Sequence, residues 1–247
     1  MAALLALASC ALVRSDAARH LSGSPGRMAA LPRVTLWAWE RPEDLRGLDA
    51  RSAAVAYLDQ TLTLGLIVQS QPRRDPVAFP ASAVRMPVVR IEAARNAVLN
   101  GVNREDAVAA ILRSAREPGI AGLQIDFDAT QSQRAFYRSL LEELRARMPA
   151  GLPLSITALA SWCSWDRWLR GVPIDEAVPM MFRMEPDHRR APPNIADFQI
   201  REPVCEGAVG VSTTEPWPPD AEGKRVYVFA EHGWRRDSPE KVERELQ

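Results

Sequence analysis

The sequence predicts an α/β fold, a (β/α)8 barrel of the TIM type that is irregular, with some helices short or missing. Three observations point to it. Strand-like and helix-like segments alternate along the chain, the pattern of parallel strands joined by crossovers. The length, 247 residues, suits one such barrel, which typically takes ~250. Third, residues 121–129 (AGLQIDFDA) read as a buried strand ending in two carboxylates, Asp126 and Asp128, with a helical segment directly after. Barrels of this kind keep their chemistry at the carboxyl ends of the strands.

The elements follow in order. Residues 34–39 (VTLWAW) are β-prone and make the first strand. Residues 53–58 make the second, and 61–69 alternate loosely, as a hairpin arm turning near Gln71 and Pro72 would. Residues 86–92 (MPVVRIE) are the third strand, with Pro87 expected at its start because proline cannot donate to the ladder. A helix is expected from the N-cap Asn103 to about Arg116, where Pro118-Gly119 stops it. The Asp126 strand is fourth, and its helix spans 132–147. Residues 154–160, 176–182, 207–212 and 225–230 supply the remaining strands. A tryptophan-rich loop, 161–168, follows the fifth, and a polar, proline-rich loop, 187–200, follows the sixth. Ser238 caps a closing helix over 238–246. Crossover helices look short or missing after strands two, six and seven.

Composition narrows the partners. The formal net charge is zero, so nothing favours a nucleic-acid partner, and no stretch is long and apolar enough to span a bilayer. The first residues carry a reduced export signal. Residues 1–6 are apolar and lead into Leu-Ala-Ser-Cys, which matches a bacterial lipobox with Cys10 as the lipidated residue. The run is shorter than a standard signal peptide and no Lys or Arg precedes it, so the true start is expected upstream. The plainer alternative is an apolar terminus with an incidental Cys. Residues 15–30, rich in Ser, Gly, Ala and Arg, read as a tether. The chain thus divides into a signal and tether, 1–30, and one barrel domain, 31–247, with order beginning near Arg33. It is expected to be exported, and either anchored to a membrane through its lipid or periplasmic. In an oxidising compartment Cys163 and Cys205 have only each other to pair with, and a disulfide is predicted. A cytosolic location would instead leave two buried thiols. Neither has a neighbouring His, which argues against a thiol nucleophile. Metal-ligand spacing is absent, and no cofactor is expected.

Strand ends gather the candidate site. Successive strand residues alternate faces, so Gln124, Asp126 and Asp128 share one side and Leu123, Ile125 and Phe127 the other. A polar face on so apolar a strand is costly unless the site uses it. Around it fall Glu40 after strand one, Arg90 and Glu92 on strand three, and Trp162 and Trp165 after strand five. Met180, Phe182, Arg183 and Glu185 lie at strand six, Glu215 and Trp217 after strand seven, and Glu231, His232 and Trp234 after strand eight. Carboxylates beside aromatics suit a carbohydrate. The ring stacks on the C–H face of a sugar, and carboxylates bind hydroxyls or exchange protons. Two crowded carboxylates also raise one pKa, leaving a proton donor beside an anion. Plainer roles exist for each: Asp126 as a loop-capping acceptor or an Arg partner, Arg90 with Glu92 as a buried ion pair, and Trp37 and Trp39 as packing away from the mouth.

Two resemblances add to this. From Leu36 to Trp234 the chain resembles a bacterial family catalogued as domain of unknown function 3142, through LWAWERP, VRIE, LQIDFDA, LSITALASWC, VPMMFRM and YVF. That resemblance implies a barrel and no particular activity. The fourth strand is similar to the chitinase-like (family 18) glycoside hydrolases, whose motif is Asp-Gly-x-Asp-x-Asp-x-Glu. Gly122 and Asp126 match it, Asp128 stands in place of the acid Glu, and Ala121 and Gln124 replace the two earlier Asp. Met180-Met181-Phe182 resembles that family's strand-six Met-x-Tyr without the hydroxyl. The resemblance implies that Asp128 is the general acid and that Asp126 holds the proton or stabilises positive charge. Glu185, Glu215 or Glu231 would be a second carboxylate, and Trp162, Trp165, Trp217 and Trp234 would line subsites. The expected function is glycoside hydrolysis of an envelope or environmental polysaccharide. The alternative is a catalytically inactive barrel lipoprotein that binds a saccharide or a partner protein.

Overall fold

The computed structural model describes residues 23–49, 51–182, 199–235 and Val242. Its strands are β1 (Val34–Ala38), β2 (Glu43–Asp44), β3 (Ala53–Leu64), β4 (Val68–Pro72), β5 (Val77–Ala78), β6 (Val84–Ala93), β7 (Leu123–Asp126), β8 (Leu154–Leu159), β9 (Glu176–Met180), β10 (Ala208–Ser212) and β11 (Arg225–Phe229). The helices are α1 (Gly101–Ser114), α2 (Arg134–Arg147) and the single turn α3 (Ala160–Ser164). Among the described residues, eight strands pair in parallel in the order β1-β3-β6-β7-β8-β9-β10-β11, and β11 returns to β1 to close a TIM-type barrel. Among the described residues, closure leaves the eight barrel strands no free edge within the ring, and β4 is added antiparallel to β3.

Burial follows the strand period. Leu123, Ile125 and Phe127 pack outward against Tyr137, Leu140 and Leu141 of α2, while Gln124 and Asp126 take the opposite side. A second outer layer covers β1, β10 and β11 with Leu48, Ala221 and Trp234. Among the described residues only α1 and α2 are full crossover helices. The connection after β3 is a hairpin and the short parallel pair β2–β5, and the one after β10 holds a single 3-10 turn, Pro219–Ala221.

Several local expectations change. The hairpin reverses at residues 65–67, where Gly65 N–H reaches Ile67 O; Gln71 and Pro72 lie in the returning arm. β6 starts earlier than expected, so Pro87 lies inside it. There it falls between the Arg85–Ile120 bridge and the first β7 pair, Val88–Gln124, a gap in the ladder that spares a donor. The cap of α1 is Asn100, whose side chain accepts from Asn103 N–H; Asn103 instead donates to Gly65 O and Val98 O. Strand six ends at Met180, short of Phe182. The closing helix over 238–246 lies outside the described residues apart from Val242, as do residues 187–198 of the proline-rich loop.

The expected tether gives way to structure by residue 24. Pro25–Ala30 forms a 3-10 helix, and Met28 and Leu31 bury against Trp37, Met86, Val88 and Tyr227 to plug the amino-terminal end of the barrel. Packing against the barrel therefore begins before residue 31, with Met28 and Leu31 completing the core. Asp175 fixes the plug. It accepts from Ser24 N–H at 2.6 Å, Arg27 at 2.9 Å and Leu154 N–H at 2.8 Å, and from fully buried Arg145. Above it, Glu176 takes Arg225 at 3.1 Å and the Tyr227 hydroxyl at 2.7 Å, and burial pushes its carboxyl up despite that arginine.

Cys163 and Cys205 are joined in a disulfide with Cα atoms 5.8 Å apart, tying α3 to the turn before β10. The bridge closes a separation of 42 residues. On the chain-entropy account that loop stabilises the fold by about 4 kcal/mol. Cys163→Ser with Cys205→Ser is expected to lose roughly that amount in urea unfolding. A loss under about 1 kcal/mol would mean the unfolded chain is not loosened by opening the loop.

Candidate active site

The carboxyl ends of β1, β6, β7, β8, β9 and β11 surround a cleft of about 410 Å3. Its acidic side is built on β7. Asp126, the last residue of that strand, has a side chain only 10% exposed. It accepts from Arg90 Nη1 at 2.7 Å and from the Thr157 hydroxyl at 2.7 Å. The register explains this: β6 pairs Arg90 directly with Asp126. Arg90 Nε also reaches Glu92 at 2.9 Å, and its guanidinium lies 5.1 Å from the Trp39 ring centre. The expected Arg90–Glu92 ion pair is present, though Glu92 is exposed rather than buried, and Asp126 is the arginine's second partner.

Asp128 stands two residues further on, past the end of the strand. By surface area it is exposed to the cleft mouth. Its carboxyl is nevertheless pushed up, first by the desolvating walls around it and then by the Asp126 anion, against a weaker pull from Arg90. Both effects hold in a concave mouth, where surface area counts access to solvent but the field of buried neighbours persists.

The facing wall is aromatic. Trp39 stacks on Trp37 at 4.8 Å, Trp37 on Phe229 at 4.7 Å, and Phe229 lies 4.9 Å from Phe182. Trp37 is fixed from below, its indole N–H donating to Gln124 Oε1 at 2.7 Å. Met180 enters the cleft beside the row because β10 carries Gly210; a Cβ there would lie 2.7 Å from its sulfur. Arg41 bolts one rim. It binds Glu43 at 2.7 Å and the carbonyls of Glu231 and Ala230, joining the loops after β1 and β11.

The structure brings six of the predicted residues to this cleft: Asp126, Asp128, Arg90, Met180, Phe182 and Glu231. Glu40 and Glu92 line an adjoining depression. The Glu40 carboxylate accepts Arg74 N–H at 3.0 Å and Asp75 N–H at 3.1 Å. Its pKa is lowered because these hydrogen bonds and nearby Arg73 outweigh partial burial, the largest single influence, which raises it. The predicted tryptophan subsites are not formed. Trp162 is wholly buried, edge-on to Trp168, because α3 turns it into the outer core. Trp234 is buried with its indole N–H on Trp37 O. Trp217 packs on the outer layer and donates to Ser212 O. Trp165 and Glu215 are half-buried and line neither depression, and His232 is exposed at the rim. Arg183, Glu185 and Cys10 lie outside the described residues.

Trp39 is corrected in the other direction, since it stands half-buried in the cleft wall; Trp37, 1% exposed, is the packing residue expected and backs that wall from the core. Their spacing of two on strand one carried that signal, as one strand face holds both. Thr157, Phe229 and Arg41 were also missed. Thr157 and Phe229 sit on strand-end faces that alternation identifies, whereas the reach of Arg41 depends on loop geometry.

These features define a class: a TIM-type barrel whose strand-end cleft pairs carboxylates with a stacked aromatic wall. Residues 83–174, which hold Arg90, Asp126, Asp128 and Thr157, match the family described as Domain of unknown function (DUF3142). The crystal structure of the Bacillus cereus spore cortex-lytic enzyme SleL is similar at a TM-score of 0.42 and 15% identity. That match covers 61% of this chain and 42% of that one, so it spans less than half of that enzyme's length. No curated protein matches the chain.

Proposed function

We propose that the protein is a glycoside hydrolase acting on a cell-envelope or environmental polysaccharide. The carrying observation is Asp128, a carboxyl with a raised pKa in a cleft whose other wall is a row of stacked aromatics. A sugar ring on that wall presents its glycosidic oxygen to the acidic side. Asp128 protonates that oxygen as the bond to the anomeric carbon breaks and the leaving sugar departs as an alcohol. Asp126, paired with Arg90, faces the positive charge that develops, and water then adds to the anomeric carbon and returns a proton to Asp128. Glu231 is the further carboxylate of the same cleft. The test is release of reducing ends from a panel of envelope and plant polysaccharides by purified protein, with Asp128→Asn as control. Hydrolysis that disappears in the variant supports the reading; hydrolysis that persists removes Asp128 from it.

One observation favours a second reading. Arg90 engages Asp126 and Glu92 together, and an aromatic wall suffices for binding alone. A catalytically inactive barrel predicts saccharide binding with no hydrolysis by the wild type.

In either case we place the protein at the cell envelope, anchored through Cys10; the Cys163–Cys205 bond supports an oxidising compartment. Cys10→Ala is expected to move the protein from the membrane to the soluble fraction. Unchanged partitioning would count against the anchor.

A further inference from the structure

β3 and β6 run past the barrel rim. Their ladder continues from Gln60–Val89 to Leu64–Ala93, whereas β6 meets β7 only as far as Arg90–Asp126. β4 turns back along β3, pairing Thr61 with Gln71 and Thr63 with Gln69. A three-stranded sheet therefore stands above the cleft mouth, and alternation gives it two unlike faces. Leu62, Leu64 and Ile91 are buried with Val108 and Ile111 of α1 on one. The other carries two rows across the strands, Gln71–Thr61–Arg90 and Gln69–Thr63–Glu92.

This polar face lines a second depression of about 440 Å3. Trp39 and Arg90, whose guanidinium lies 5.1 Å from the indole ring, border both it and the acidic cleft, so the two adjoin across this pair. Its far side is held rigid. Arg73 donates to Ala38 O, Arg41 O and Asp75 O, and the Glu40 carboxylate clamps the next two backbone N–H groups. Hydroxyls, amides and carboxylates on a flat strand surface suit a chain rich in hydroxyls. Glu40, Asp75 and Glu92 are set against Arg74 and Arg90, so the lining favours neither a polyanion nor a polycation, and an apolar ligand would leave its polar groups unpaired.

We propose that this shelf binds further units of the same saccharide chain whose reacting unit lies at Asp128, so that the protein takes an oligomer. The proposal rests on the saccharide reading above. Each added unit exchanges hydrogen bonds with Thr61, Thr63, Gln71 and Glu92, and Trp39 is the joint between shelf and cleft.

The test measures binding by calorimetry in the Asp128→Asn background, which prevents turnover, using cellulose, xylan and chitin oligomers from dimer to hexamer. Thr61→Val with Gln71→Leu removes two polar groups while keeping the strand shape, and melting curves check the fold. Affinity for one series is expected to rise with length. The double variant is expected to lose on the order of 10-fold for the hexamer, two hydrogen bonds' worth, with the dimer unaffected. Affinity independent of length, a gain that survives the double variant, or an equal loss at every length overturns the shelf. Wild-type hydrolysis accompanied by any of those results overturns the shelf and spares the Asp128 reading. No binding by any series, together with no hydrolysis in the polysaccharide panel, overturns both.

Discussion

Asp128→Asn is expected to lower turnover by about 10²–10⁴-fold, the usual contribution of a positioned general acid, while saccharide binding survives. Asn keeps the shape and the polarity but has no proton to give. The pH dependence should follow the same group. In the proposed mechanism Asp128 acts in its protonated form, and burial together with nearby Asp126 keeps it protonated to higher pH than an ordinary carboxyl. Activity should therefore fall as pH rises through that raised value. The linkage to stability has a definite sign. A carboxyl whose pKa is higher in the folded state contributes stability below its unfolded value and loses that contribution as pH rises through the folded one. Above that raised value the ionised Asp128 is a small liability, so there Asp128→Asn should melt no lower than wild type and slightly higher. A variant that loses activity and stability together would point to a structural role.

Arg145→Met is the substitution expected to damage the fold most. Arg145 and Asp175 are both fully buried and paired, and Arg145 also donates to Pro173 O at 3.0 Å and Leu152 O at 3.1 Å. Removing the cation leaves a buried carboxylate and two orphaned carbonyls, which typically costs about 3–5 kcal/mol. Urea unfolding checks this. Asp175 also holds Ser24 and Arg27, so protease should release the amino-terminal plug more readily in the variant. A loss under about 1 kcal/mol would show that Arg27 alone neutralises Asp175.

The barrel was legible in the sequence because its signals are local. Alternation on residues 123–127 separated an apolar face for α2 from a polar one for the interior, and periodicity marked both full helices. The acidic half of the site was legible for the same reason. Arg90 and Asp126 are strand residues, and their contact follows from register between adjacent parallel strands. The aromatic half was misread. Exposure of a tryptophan depends on how the loop after its strand turns, and α3 and the residues around Gly233 fold Trp162 and Trp234 inward. Trp37 lies on β1 and Trp39 just past its end, and period put both on one face; the apolar composition of the strand was a sound sign of packing for Trp37 and a misleading one for Trp39. The plug at Met28 and Leu31 was hidden by a polar, small-residue context that resembles a linker. The hairpin arm was visible, but its turn lies at Gly65 rather than at proline, because Pro72 is tolerated on an edge strand.

The account turns on Asp128 being a proton donor beside an anion. The direct measurement is titration of its carboxyl carbon by NMR in the wild type and in Asp126→Asn. The wild-type pKa is predicted to lie above the ordinary aspartate value and to fall when Asp126 loses its charge. An Asp128 that titrates at or below that ordinary value, or that ignores Asp126, would contradict the account.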